Sequence, residues 1–316
     1  MLIVVALGGN AVSPPGQEGN IPQQYETTRA AIRPLADLLL AGHQLVMTHG
    51  NGPQVGNVMR RVEIAARHHV YPLPLDTVVA DTQAGMGYMI SQCFMNELVA
   101  RGEKRLCSTL ITTVKVDRND PAFAKPSKPI GPFLTREQAD KHIEKDGWKM
   151  VEDSGRGWRR VVASPVPQQI MEIDVIRCLV QAGHSIVACG GGGIPIIQNK
   201  EGQICGVEAV IDKDRTTSLL ALGLGADMLA FLTGVDYVQQ NFGTPQTRPI
   251  KQMTVTEAKA MLAEGQFPAG SMGPKVEGGV KFLEGTPQAT SQVLITSCEK
   301  IKQAIAGKIG TRIVRG

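Results

Sequence analysis

The chain opens with Met1-Leu-Ile-Val-Val-Ala-Leu7, followed at once by Gly8-Gly9-Asn10. A short apolar run without polar alternation, stopped by glycine, predicts a strand buried on both faces, the habit of parallel sheets. Working outward, a polar loop rich in Pro and Gly runs from Ser13 to Pro22. An amphipathic helix follows from about Gln24 to Ala41, with Ile32, Leu35, Leu38 and Leu39 on its apolar side and Gly42 closing it. The unit then repeats: strand Gln44 to Thr48, loop His49-Gly50-Asn51-Gly52, and a helix over Gln54 to His68 with Pro53 suited to its first turn. Strand, Gly-rich loop and helix, twice over, predict an α/β fold.

Asp76 to Ala100 reads as a long helix and Leu106 to Val116 as another strand. From about Asp117 to Ser164 the chain becomes polar and turn-rich, with Lys125-Pro-Ser-Lys128-Pro-Ile-Gly-Pro132 inside it. Trp148 and Trp158 flank Asp153-Ser154-Gly155 there, which predicts a two-stranded hairpin. We read 117–165 as a small subdomain or lid inserted into one domain spanning 1–316, because a linker would not carry both tryptophans. The α/β pattern then resumes. It reads as a helix over Met171 to Ala182, a strand over Ser185 to Cys189 ending in Gly190 to Gly193, and a hairpin over Ile196 to Val210. A helix starts near Asp212, and Met228 to Thr233 is a strand. Helices near Thr256–Glu264 and Pro274–Leu283 and strands at Gln292–Thr296 and Thr311–Val314 complete the chain. No internal repeat is visible.

Composition narrows the class. The 316 residues suit two domains at roughly 150 each, or one large α/β unit with an insertion. Hydrophobic residues make up 42% and charged residues 20%, which supports a packed core and excludes a disordered chain. There are 35 Gly against 7 Phe, 4 Tyr and 2 Trp, a balance that suits a backbone approaching ligands closely. A net charge of +4 is too small to imply a nucleic-acid or membrane partner. No apolar run reaches the roughly 18–20 residues of a membrane span. The opening does not read as a signal peptide, and the cysteines at 93, 107, 178, 189, 205 and 298 show no metal-ligand spacing. They read as buried thiols in a reducing cytosol.

Three strands end in Gly-rich loops: Gly8-Gly9-Asn10, Gly50-Asn51-Gly52 and Gly190 to Gly193. In an open parallel sheet ligands sit beyond the carboxyl ends of the strands, where backbone N–H groups and helix N-termini attract anions. Glycine also marks ordinary turns, but three such loops at equivalent strand ends favour a site. None is a Walker A loop or a Gly-x-Gly-x-x-Gly fingerprint, so a dinucleotide fold is demoted. Asp212-Lys213-Asp214 stands at a helix start, where Asp212 alone could be a simple N-cap. A cation in a first turn opposes the helix dipole by up to about 1 kcal/mol, and that misplacement points to function for Lys213. Gly270-Ser-Met-Gly273-Pro-Lys275 reads as a phosphate cradle on the same grounds. Lys128 in its Pro-rich loop is weaker alone. Three lysines without an obvious nucleophile suit phosphoryl transfer, which needs positioning and charge neutralisation. His49 reads as a strand-end core histidine, and the methionines as core filler.

Four motifs in register carry a resemblance. Val5-Ala-Leu-Gly-Gly-Asn-Ala11, Thr48-His-Gly-Asn-Gly-Pro-Gln-Val-Gly56, Gly206-Val-Glu-Ala-Val-Ile-Asp-Lys-Asp214 and Gly270-Ser-Met-Gly-Pro-Lys275 together resemble the carbamate kinases of the amino-acid-kinase superfamily. The resemblance runs from residue 1 to about 314. It implies a three-layer αβα sandwich with an open, mainly parallel sheet, a protruding insertion near 117–165, and a homodimer. It also implies reversible phosphoryl transfer between ATP and carbamate with Mg²⁺. Carried over by motif, Gly8, Gly9, Asn10, Gly50 and Asn51 would bind carbamate or the phosphoryl group in transit. Lys128 would reach in from the insertion. Lys213 and Lys275 would neutralise the moving phosphoryl group, with Asp214 and Asp212 orienting the lysines. Thr233, Tyr237, Val238, Met272 and Gly273 would line the nucleotide site. The loop after Asn10 departs from the family by lacking a basic residue that many relatives carry. The related acetylglutamate kinases usually carry a lysine where this chain has Ala6, which disfavours that acceptor. A kinase of another small acid, and a non-catalytic nucleotide or metabolite sensor on the same fold, stay open as alternatives.

Overall fold

Eight strands form the central sheet of the computed structural model, which describes residues 1–9, 12, 19–153, 155, 157–268 and 270–316. In spatial order they are Gln252–Thr254, Thr311–Val314, Gln292–Ser297, Met228–Thr233, Leu2–Leu7, Gln44–His49, Ser185–Val187 and Cys107–Thr109. Neighbours are parallel throughout, except that Gln292–Ser297 meets Thr311–Val314 antiparallel. Leu2–Leu7 is central, and its side chains alternate between two cores. Val4 and Ala6 pack with Ile176, Leu220, Phe231 and Phe282 on one face. Ile3, Val5 and Leu7 pack with Ile32, Leu35, Ile90 and Phe94 on the other. Helices Ile21–Leu40 and Leu75–Ala100 therefore cover one face, and helices Ile173–Gln181, Lys213–Leu224 and Met272–Gly285 cover the opposite one. Burial on both sides is why the opening run shows no polar alternation.

Local signals set the helix ends. Asn20 and Gln23 form a capping box before Ile21–Leu40. Asp212 caps Lys213–Leu224, and Gly225 ends that helix in the left-handed conformation. No helix among the described residues is long and apolar enough to cross a membrane.

Several expectations are corrected. Leu106 to Val116 is two strands: Cys107–Thr109 joins the central sheet, whereas Thr113–Val116 joins a second sheet with Pro167–Ile170, Ile194–Gln198 and Ile204–Gly206. At the crossing the Thr112 N–H donates to Gln83 Oε1 at 2.6 Å instead of continuing a ladder. The 196–210 hairpin stops pairing at Gly206. The Ser185 strand ends at Val187, because Cys189 turns to a φ of 52° and Gly190–Gly192 form a 3₁₀ turn. Cys178 and Cys205 are exposed rather than buried. Cys178 lies opposite the inward-facing Ile176 and Val180 of its helix, and Cys205 lies on an edge strand.

Within 117–165, strands Lys128–Leu134, Trp158–Val162 and Met150–Glu152 form a separate antiparallel sheet beside helix Arg136–Asp146. The hairpin expected between the tryptophans is there, and its Ser154 lies outside the described residues. Lys128 begins a strand rather than sitting in a loop, and it pairs with Val162. The flanking strands Thr113–Val116 and Pro167–Ile170 pair with each other, so the segment leaves and returns side by side.

Candidate active site

Leu2–Leu7, Gln44–His49 and Ser185–Val187 are consecutive in the sheet and parallel. Their glycine-rich loops therefore lie next to one another at one sheet edge, as the Gly pattern predicts. Gly8 donates its N–H to the Leu232 carbonyl at 3.1 Å. A Cβ there would sit 2.6 Å from that oxygen, so only glycine fits without displacing the backbone. Asn10 lies outside the described residues. Asn51 is buried at the start of helix Gly52–Ala66 and donates through Nδ2 to Thr82 Oγ1 at 3.1 Å.

The three lysines meet two carboxylates that stand two residues apart. Lys128 Nζ donates to Asp212 Oδ2 at 2.9 Å. Lys275 Nζ donates to Asp214 Oδ2 at 2.9 Å and to the Ser271 carbonyl at 3.0 Å. Lys213 Nζ donates to the Leu7 carbonyl at 2.7 Å and lies 3.4 Å from Asp214 Oδ1. Lys213 also runs past Gly50, where a Cβ would come 3.4 Å from its Cδ. Asp212 caps the helix and pairs with the lysine at once: Oδ1 accepts from the Asp214 N–H at 2.9 Å while Oδ2 accepts from Lys128 Nζ at 2.9 Å.

The electrostatics follow from burial. Burial opposes ionisation of Asp212, but the adjacent Lys128 charge, its hydrogen bond and the backbone N–H groups of Asp214 and Arg215 outweigh it, and its pKa falls to about 2. Burial pushes the Lys213 ammonium below its usual range; Asp214 resists this shift, whereas Lys275 adds to it. His49 is fully buried, and burial together with Lys213 holds its pKa down to about 4 despite a bond to the Gly50 carbonyl. It stays neutral in the core at neutral pH.

A cleft of about 540 Å³ opens beside this array. Gly8, Gly9, Thr233, Tyr237, Met272 and Lys275 are on its walls, with Phe242 and Phe267 offering aromatic faces. Val238 is not on the wall: it is buried in the core, and its N–H donates to Thr311 Oγ1 at 2.8 Å. Gly273 is also off the wall, with its N–H bonded to the Pro268 carbonyl. Lys275 lies in the first turn of helix Met272–Gly285, which begins two residues before Pro274.

Sequence reading missed the supporting layer. Gln83 holds the Gly190 turn through its Nε2 at 3.1 Å from the Gly190 carbonyl, and Thr82 holds Asn51. Thr48 and Thr217 share a buried hydroxyl contact of 2.7 Å under the lysines. The available signal was the polar pair Thr82-Gln83, both buried within helix Leu75–Ala100.

Together these features make a site for neutralising a polyanion next to a cleft of nucleotide size. The amino acid kinase family model matches residues 1–297. The chain is 43% identical over 315 residues to a carbamate kinase of Thermococcus kodakarensis, covering 99% of each. It is 45% identical over 312 residues to a carbamate kinase of Staphylococcus haemolyticus, covering 98% of each. The solved carbamate kinase of Giardia lamblia bound to AMP-PNP superposes with a TM-score of 0.91 at 38% identity, covering 100% of this chain and 98% of that one. The chain belongs to the amino acid kinase family.

Proposed function

We propose that this chain is a carbamate kinase, transferring a phosphoryl group reversibly between ATP and carbamate. The observation that carries the reading is the tie of three lysines to the Asp212 and Asp214 carboxylates at the mouth of the cleft. The nucleotide takes the cleft, with its phosphates toward Gly8, Gly9 and Lys275. Carbamate takes the other side of the lysine array, outside that cleft, near Gly50, Asn51 and Lys128. Lys213 stands between the two and meets the charge that spreads over the phosphoryl oxygens in transit. Asp214 keeps Lys213 and Lys275 apart and aimed. Among the described residues no group of three or more His, Cys, Asp or Glu could hold a metal. Mg²⁺ would come with the nucleotide phosphates as part of the substrate and help neutralise their charge.

The segment 117–165 acts as a lid that carries Lys128 to the acceptor and excludes water. Ala6 is fully buried against the Phe231 core, so there is no room there for the lysine of the acetylglutamate branch. The reaction serves ATP formation from carbamoyl phosphate in amino-acid, notably arginine, or purine catabolism, and its use of ADP and ATP supports a cytoplasmic location. A homodimer is part of the proposal. Cys107–Thr109 is an open edge of the central sheet, and Tyr88, Val99, Leu106 and Ile111 are exposed around it. Light scattering should give twice the 33.9 kDa chain mass.

The deciding assay is ATP formation from carbamoyl phosphate, ADP and Mg²⁺. Fast turnover by the wild type, lost in Lys213→Ala and Lys128→Ala, is expected. ADP binding without ATP formation would move another acceptor, or a sensor, to the front.

A further inference from the structure

A second cleft, of about 440 Å³, lies between helix Gly52–Ala66 and the 117–165 segment. Gly56 and Gly131 are among the residues that line it, and the two backbones approach so closely that a Cβ on Gly56 would fall 2.2 Å from the Gly131 Cα. Asn51 and Lys128 lie toward the N-terminal ends of these two elements, before that contact. The cleft follows the chain after it, along Met59, Glu63, Phe133 and Leu134. It is therefore distinct from the nucleotide cleft and from the lysine array.

Its half-buried polar groups are Glu63, Arg160 and His142. The Arg160 guanidinium lies 4.6 Å from the Trp148 ring centroid, and His142 stacks on Trp148 at 4.2 Å while bonding Asp146. Glu63 and Arg160 both line the cleft, yet among the described residues neither side chain makes a hydrogen bond or ion pair. Burial pushes the Glu63 carboxyl above its usual range against the pull of His142 and Arg160, and burial pushes the Arg160 guanidinium below its own. A partly desolvated carboxylate and a partly desolvated guanidinium thus line one cleft without a direct ion pair among the described residues, Glu208 and Asp146 acting on Arg160, and His142 and Arg67 on Glu63, only at longer range. Arg60 and Arg67 are exposed at the rim and add positive charge there.

We propose that this cleft binds a small zwitterion with an apolar side chain, such as a free α-amino acid. Its ammonium meets Glu63, its carboxylate meets Arg160, and its apolar body lies against Met59, Ile130 and Trp148. A simple anion satisfies Arg160 but is repelled by Glu63; a simple amine has the reverse difficulty and also faces the rim arginines. The volume suits a ligand of this size. The inference does not depend on the phosphoryl-transfer reading, because binding is read without turnover.

The test uses the full-length Trp158→Phe protein, in which Trp148 is the one remaining tryptophan of the 2 in the chain. L-Leucine should change its fluorescence saturably, and equilibrium dialysis of labelled leucine should give the same curve. Isocaproate lacks the ammonium and isoamylamine lacks the carboxylate; each should bind at least about tenfold more weakly, the loss of one charged contact. Glu63→Gln keeps the side-chain shape and should erase the advantage of leucine over isocaproate, with circular dichroism confirming an intact fold. Equal binding of leucine and isocaproate to the unmodified cleft would overturn the proposal in favour of a plain anion site. Absence of saturable leucine binding by both methods would overturn it outright.

Discussion

Lys213 stands where two local effects work against a cation, in the first turn of a helix and with its side chain largely out of water. The Leu7 carbonyl and Asp214 offset that, and in the proposed reaction a phosphoryl group completes the set. Lys213→Ala should lower kcat by about 10²–10³-fold, the scale of losing one preorganised donor to transition-state charge. Lys213→Arg should not restore it in steady-state assays, because the side chain passes Gly50 closely and ends between a carbonyl and a carboxylate. Asp212 allows a stability test. Its folded pKa of about 2 lies below its ordinary 3.8, so the folded state binds that proton more weakly than the unfolded state. The stabilisation is complete above about pH 4 and is lost as the pH falls through about 2. In denaturant titrations the gap between wild type and Asp212→Asn should close across that window.

At the scale of elements, the turn after Ser185–Val187 shows why glycine is required. Gly191 has a φ of 65°, and a Cβ on it would lie 2.1 Å from Asn51 Nδ2. Gly191→Ala combines a left-handed penalty of about 1–2 kcal/mol with displacement of Asn51. The KM for carbamoyl phosphate should rise while ADP affinity by calorimetry holds. The strand carrying Lys128 gives the complementary case. Among the described residues of 117–165, none is on the wall of the cleft proposed for the nucleotide. Lys128→Ala should therefore cut turnover strongly and spare nucleotide binding; equal loss of both would remove Lys128 from the acceptor side. Helix boundaries were legible from Gly42 and Asp212 because caps act over one turn. The split of Leu106 to Val116 between two sheets was not, because an apolar run reads the same whichever sheet receives it.

For the whole molecule, the substrate sets a limit that the proposed lid must work within. Carbamate has four heavy atoms and can gain no more than about 6 kcal/mol, a Kd of tens of micromolar at best. Calorimetry on the carbamate side should find no tighter binding, so orientation and water exclusion on closure carry the rest. The order of residues by itself determined the α/β class, the buried central strand, the glycine loops and the identity of the charged residues, because each depends on neighbours within a few positions. The tertiary structure alone decided which charges meet. Lys128 finds Asp212 across 84 residues and Lys275 finds Asp214 across 61. It also turned Val238 into the core, although Tyr237 beside it faces the cleft. Those outcomes follow from sheet order and from the alternation of strand faces, which bring distant segments to one edge and which no local pattern encodes.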